Sequence, residues 1–525
     1  MDAADRPVNV TIHYNAMVVT EVTYESPGGE KTVHFPAHEG VVRLAMDIGP
    51  GALCYTTGND VPWTRHRTEK WYGVGFDVTA GGIVDFGRPH RGPLRLSNHP
   101  QLFLDDYLVA DMEGMKRRIT RARKHPCNPI TIEQEYPWEA ARVRCGTVIY
   151  EPETAKFRMW YTAYAKNPGD NPGRCCYAES DDGITYRAVF AHQNFQPITP
   201  LSGIFTSTSA DGIAWSKPAH VGLGKCDNPP SVVWYEPIGK YILATRPQAT
   251  DPVFKGYWCV TGISESRDFV HWSSKKSFIL TDDVDGYPFA QFHDIQQMVY
   301  GDVVIGAASV MHLTDKTGKN NKSATANVQL VTTRNGWRWH RVANRAVFLD
   351  NGPDDYDRIM ALATSAMTVK DDTVYLYYHG AGKMNCQRRE AHKAKHGKKG
   401  RRLLRGLCLA TVPADRFVGL IPAARGKTGV LRAKVFNAVG RELTVNAKLA
   451  DPNDLRVEVL DGTGNTLSGF EAARSRLTVR DRLRYRVVWD GSGAPKALAD
   501  ALPSGPVALR FHLRRGALYA FQIFK

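Results

Sequence analysis

Four short segments of this chain obey one rule. "SDDGITY" (180–186), "SADGIAW" (209–215), "SRDFVHW" (266–272) and "TRNGWRW" (333–339) each run Ser or Thr, any residue, Asp or Asn, usually Gly, two more residues, then an aromatic. Asp-Gly and Asn-Gly favour the turns whose twist suits a hairpin. The aromatic can pack across the corner and fix its angle. A chain that builds one corner repeatedly stacks self-similar sheets, and among all-β architectures this predicts a propeller. Apolar strand pairs stand upstream of the corners, as in "GTVIYEPETAKFRMWYTAY" and "SVVWYEPIGKYILATR", and "LCLATVPADRFVGL" carries a degenerate fifth corner at 411. The corners at 180 and 209 are too close for a full blade of about 40–50 residues between them. They are therefore expected to share one blade region. Counting "LFLDDYLVA" (102–110) into a closing blade gives five.

The flanks read differently. A chain of 525 residues exceeds one ordinary core, so two to four domains are expected. Residues 1–92 hold short strands parted by Gly and Pro and predict an N-terminal β domain. After residue 422, "LTVNAKL", "LRVEVLD", "LRYRVVW", "VALRFHL" and "LYAFQIF" alternate apolar and polar residues as half-buried antiparallel strands do. The predicted fold is all-β: an N-terminal β domain (1–92), a five-bladed propeller (93–422) that carries the chemistry, and a C-terminal β-sandwich (423–525).

Charge is concentrated. The chain carries +15, and residues 383–405 alone hold ten Lys or Arg against one Glu. Such a run reads first as a solvated loop. Its competing reading is a contact for a sulfated or uronic polysaccharide or another polyanion. It lacks interleaved aromatics, which argues against stacking on single-stranded nucleic acid. No apolar run reaches about 18 residues, so no membrane span is expected. Nine cysteines without a CxxC pair offer neither a zinc motif nor a disulfide framework, and no cofactor is implied. The start of the chain shows no basic-then-apolar leader. The compartment stays open: secreted or periplasmic if a leader has been removed, cytoplasmic otherwise. Oligomeric state is not legible.

In a propeller the innermost strands converge on the axis, so chemistry belongs where they begin. Glu139 in "YPWEAA", Asp227 in "GKCDN", His293 and Asp294 in "QFHD", and Asp354, Asp355, Asp357 and Arg358 in "GPDDYDR" all stand at such starts. Acids are common in turns, and singly each reads as structural; four in register suggest converging carboxylates. Paired carboxylates suit glycoside cleavage, with one protonating the leaving oxygen and another activating water or attacking the anomeric carbon. A third tunes the acid by repulsion. Trp138, Arg142, Arg246, Asp357, Arg358 and His379 are the candidate substrate contacts, and Arg142, Arg246 and Arg358 would also suit a phosphate cradle. Trp160 and Tyr161 read as strand packing.

"LFLDDYLVA…RKHPCNPI", "WE…GTVIYEPETAKFRMWY", "YAESDDGITY", "LVTTRNGWRWHRV…FLDNGPDDYD" and "VYLYYHGA" resemble glycoside hydrolase family 32-like and family 43-like propeller proteins of planctomycetes and other polysaccharide degraders. The C-terminal strands are similar to the sandwich that follows that propeller. The resemblance covers about 95–525. It implies a base or nucleophile in the first blade, a tuning acid in the second and a general acid in the third. Placed by position, these are Glu139, Asp227 and Asp294. The Asn-Asp-Pro-Asn and Arg-Asp-Pro motifs of invertases are missing, which weakens a fructan substrate and favours inversion. Five-bladed relatives acting on anhydrogalactosides use a His as acid, which makes His293 the rival of Asp294. A non-catalytic sugar-binding propeller and a glycoside phosphorylase or lyase are the alternatives.

Overall fold

The computed structural model describes residues 93–130, 142–164, 174–191, 204–250, 257–314, 323–382 and 405–524, with 211–213, 225, 227–229, 274–276, 280, 282–283, 287–288, 338, 438–439, 441, 481–482, 492 and 503–504 excepted. Before residue 93 it describes only the backbone of seven strands. Asn9–Asn15, Val18–Ser26 and Gly29–His34 form one antiparallel sheet; Val42–Asp47, Ala52–Thr57, Thr64–His66 and Gly73–Val78 form another.

The described residues are all-β, and the middle of the chain follows a five-bladed propeller in which blades IV and V are joined in one ten-stranded sheet through the parallel pairing of Ala326 with Met360. Blade I pairs Arg142–Glu151, Lys156–Tyr164, Arg174–Ser180 and Arg187–Ala191 in sequence order. Blade III does the same with Ser231–Tyr235, Lys240–Thr245, Thr261–Ser266 and Ser277–Ile279. Blade IV comprises Ala290–Tyr300, Val303–Leu313, Ala324–Thr333 and the short His340–Arg341. Blade V runs from Met360–Ala363 through Thr373–Ala381 and Arg405–Pro413 to Arg123–Lys124. That last strand comes from before blade I, so an early segment latches onto the final blade.

Blade II is the exception. Among the described residues it consists of Phe205–Thr206 paired with Ala219–His220. The 209–215 segment, of which 211–213 lie outside the described residues, falls between these two strands in the sequence. The two early corners thus lie in separate sheets and do not share one. Neighbouring blades meet through apolar layers. Blade I rests on blade V through Val148, Phe157 and Met159 against Tyr377 and Leu409. Blade III rests on blade IV through Ile242 and Ile263 against Phe292 and Val331. Full burial of such side chains contributes roughly 1.5–3 kcal/mol each.

The corners have a common hydrogen-bond circuit. The Gly183 N–H donates to Ser180 Oγ (2.9 Å), and the Ile184 and Thr185 N–H groups donate to Asp182 Oδ1 (2.8 Å each). In blade III, Phe269 N–H donates to Ser266 Oγ (2.9 Å), and Val270 and His271 N–H donate to Asp268 Oδ1 (2.9 and 2.8 Å). Gly336 N–H and Thr333 Oγ1 (3.0 Å), then Trp337 N–H and Asn335 Oδ1 (3.3 Å), repeat it in blade IV. The hydroxyl and the carboxyl or amide oxygen satisfy backbone donors that the turn would orphan. The fourth residue is left-handed each time, at φ +74, +67 and +85.

The boundaries differ from expectation. Val109–Glu113 pairs with Gly429–Ala433, and Met115–Ile119 pairs with Val418–Pro422. Residues 94–119 and 418–524 therefore build the sandwich together, and the "LFLDDYLVA" segment belongs to it rather than to a closing blade. Phe103 lies in the sandwich core, 6.1 Å from Phe511 and 6.0 Å from Phe521.

Candidate functional site

The innermost strand of blade IV carries the site's best-defined pair. Adjacent residues on a strand point to opposite faces, so His293 and Asp294 should be parted. A bulge prevents this. Phe292 opposes Val310 and Asp294 opposes Ser309, which leaves His293 as the extra residue. The two side chains meet as a result, with Nδ1 of His293 2.6 Å from Oδ2 of Asp294. A carboxylate only accepts, so Nδ1–H donates, and the second ring proton is carried on Nε2. Bulges recur beside active sites because they re-aim side chains in this way. The pair is mostly enclosed, at 18% and 11% side-chain exposure.

Arg246 follows the second strand of blade III and is buried. Its Nη1 donates to the His293 carbonyl (3.1 Å), tying the bulge to the neighbouring blade. Beside the bulge, His312 Nε2 lies 3.3 Å from Asn327 Nδ2 on the next two strands. Sequence reading did not single out these two, since neither stands at the start of an inner strand; the register of the sheet brings them together beside the bulged strand.

Asp357 has a different place from the one expected of a substrate contact. It is fully buried, ion-paired to Lys124 Nζ (2.6 Å) and accepting from the Tyr378 hydroxyl (2.9 Å). Through Lys124 it ties the 352–358 loop to the latching strand. Burial, with the Asp357 charge nearby, pushes the Cys408 thiol up to about 12. Tyr378 is raised as well, by burial first and then by its charged surroundings.

Arg358 is exposed and pairs with Asp355 (3.2 Å). His379 is half-buried on blade V, opposite Leu362. Arg142 opens the first strand of blade I, and its side chain lies outside the described residues. So do Trp138, Glu139, Asp227 and the basic run 383–404. Tyr161 is buried in blade packing, and Trp160 sits 5.2 Å from Tyr177. Both are strand-packing residues, as expected.

No family model matches the chain, and no curated protein does. Among solved structures, the chain is similar to one titled "The GH130 family of mannoside phosphorylases contains glycoside hydrolases that target beta-1,2 mannosidic linkages in Candida mannan", at 13% identity and TM-score 0.36, covering 59% of this chain and 96% of that one. It is similar to the Bombyx mori GH32 β-fructofuranosidase at 10% identity and TM-score 0.32, covering 77% and 93%. A third likeness is to an N-acetylgalactosamine deacetylase from F. plautii in complex with blood group B trisaccharide, at 12% identity and TM-score 0.30, covering 62% and 96%.

Proposed function

We propose that this chain is a carbohydrate-active enzyme that hydrolyses glycosidic bonds at the end of the propeller bearing His293 and Asp294. The observation that carries the reading is the bulge that turns both side chains together, with Arg246 holding its carbonyl. In this reading Nε2 of His293 gives its proton to the leaving glycosidic oxygen as the bond to the anomeric carbon breaks. Asp294 holds the ring and stabilises the imidazolium before transfer. Glu139 takes a proton from the water that attacks the anomeric carbon from the other face, which is the inverting course. Asp227 tunes the acid. Trp138, Arg142, Arg358 and His379 are proposed substrate contacts, and Asp357 is a positioning residue.

Arg246 would also suit phosphate, so the test includes that arm. Reducing-end release is measured on neutral, sulfated and uronic glycans, with and without inorganic phosphate. The reading expects release independent of phosphate. Turnover that needs phosphate and yields a sugar phosphate would make the enzyme a phosphorylase. Glycan binding without turnover would make it a binding propeller. Preference for the anionic polymers, lost on neutralising Arg401, Arg402 and Arg405, would assign the basic run to the substrate.

A further inference from the structure

Between its second and third strands, blade III extends a hairpin. Gln248–Thr250 pairs with Tyr257–Cys259, in the register Gln248 to Cys259, Ala249 to Trp258 and Thr250 to Tyr257. The second strand of a blade runs antiparallel to the first, so this connection leaves at the end where inner strands begin, which is the end bearing His293. Its base is fixed on the blade III side of the bulge. Pro247 bridges to Cys226, and Arg246, the residue before, donates to the His293 carbonyl (3.1 Å).

The returning arm does not stay with blade III. The Cys259 N–H donates to Gln291 Oε1 (3.2 Å), two residues before His293 on the inner strand of blade IV. Alternation along that strand tells which face the arm meets. Phe292 and Ile295 pack on blade III, and the Gln297 amide donates to the Ser231 and Ile242 carbonyls there (2.7 and 3.2 Å). Gln291, next to Phe292 and opposite Met311, faces the other way. On that side Cys259 is buried in one apolar cluster with Met311 and Leu313 of blade IV and Met360 and Leu362 of blade V. Asp294 shares the face: it opposes Ser309, whose hydroxyl accepts from the Ala363 N–H of blade V (3.0 Å). The arm therefore crosses the start of blade IV's inner strand and settles on its blade V side, beside the His293–Asp294 pair. Outward from the axis, the second and third strands of blade IV carry on upwards. Leu313 N–H donates to the Phe289 carbonyl (2.6 Å), and Thr314 N–H donates to the Ser323 carbonyl (2.8 Å).

We propose that this hairpin confines the enzyme to chain ends: it removes sugars from a terminus and does not cut inside a polymer. The inference rests on the reading of His293 and Asp294 as the reacting pair. A polymer cut internally must lie across that pair and continue on both sides of it. Toward blade III it would meet the Arg246–Pro247 base, toward blade V the Cys259 arm, and outward the Thr314–Ser323 pair. A chain end needs only one approach. Gln291 is the fastener of the arm, since its carbonyl oxygen satisfies a buried N–H that would otherwise be orphaned.

The test follows the products that the full chain makes from whichever neutral, sulfated or uronic polymer it turns over best, by anion-exchange chromatography and viscometry. One short product is expected from the first turnovers on, with viscosity falling only late. Gln291→Ala removes the fastener, and replacing residues 248–259 by Gly-Gly removes the hairpin, a two-residue link being enough to join paired strands. Both variants should release intermediate oligosaccharides. Their viscosity loss per bond cut should rise about tenfold or more in Gln291→Ala, the order expected when a buried donor is orphaned, and further in the shortened chain. Gln291→Ala decides the matter if the shortened chain does not fold. A ladder of oligosaccharides from the parent would overturn the proposal and leave the reacting pair in place, as would a folded shortened chain that still yields one short product. No turnover of any glycan would remove the reading of the pair, and this inference with it.

Discussion

Gly336→Ala adds one methyl group and Phe269→Gly removes a whole benzyl group, yet the first should cost more. Gly336 sits at φ +85, where an L-residue pays about 1–2 kcal/mol. Its new Cβ would press on Ile242, which is fully buried, and on Ile238, at 3.0 Å each. Overpacking of that kind costs about 1–3 kcal/mol. The stiffer unfolded chain returns about 0.4–1 kcal/mol, leaving a net loss of about 1–5 kcal/mol, centred near 3 kcal/mol. Phe269→Gly regains the left-handed penalty of about 1–2 kcal/mol. It gives up two edge contacts, with Tyr241 and Trp272, worth about 0.5–1.5 kcal/mol each and pays about 0.5–1 kcal/mol in chain entropy. The net change runs from a gain of about 0.5 to a loss of about 3 kcal/mol, centred near 1 kcal/mol and below the roughly 3–5 kcal/mol of an ordinary buried Phe truncation. Scanning calorimetry of both variants reads the difference as several degrees in Tm. A neutral Gly336→Ala, or a Phe269→Gly loss of the ordinary buried size, would refute the account of the corners.

Three further outcomes concern ionisable groups. Lys124→Met leaves Asp357 buried without its cation and should cost about 3–5 kcal/mol, read by urea denaturation; a loss below about 1 kcal/mol would show that the latch does not depend on the pair. For Asp182, burial alone would raise the carboxyl, but the Thr185 and Ile184 N–H groups and the Ser180 hydroxyl outweigh it and hold it low. Its folded pKa lies below the unfolded value, so its contribution is present above about pH 4 and fades as pH falls further; Tm against pH should be flatter there in Asp182→Asn. In the alkaline direction, burial pushes Tyr235 up to about 12 and raises Tyr300 too, the latter helped by Asp415. These folded pKa values exceed the unfolded phenol value, so stability holds below about pH 10 and falls above it. Tyrosinate absorbance from this buried set should then rise together with loss of near-ultraviolet circular dichroism.

The corners were legible because their circuit needs particular atoms at fixed spacing: a hydroxyl at the first position, an acceptor oxygen at the third, a left-handed residue at the fourth. Phe269 broke the pattern in sequence without breaking it in space. Strand partners were not legible. "LFLDDYLVA" reads as a strand wherever it lies, and its pairing with 429–433 in the sandwich is decided by distant residues. The same holds for Asp357: "GPDDYDR" looks like a cluster of site acids until Lys124 arrives from the latching strand. His293 and Asp294 were identifiable as candidates, but as rivals. Only the bulge, set by register against the 303–313 strand, makes them partners.

The most direct measurement concerns the proton that His293 is proposed to give. Turnover of the best natural glycan is compared with that of the matching aryl glycoside, whose leaving group departs without protonation, for parent, His293→Gln and Asp294→Asn. The account predicts that His293→Gln loses about 10²–10⁴-fold in kcat on the natural glycan, with Tm and KM little changed, and recovers most of that loss on the aryl glycoside. Asp294→Asn should lose less and recover likewise. A His293→Gln enzyme with near-parental kcat on the natural glycan, or one equally impaired on both substrates, would contradict it.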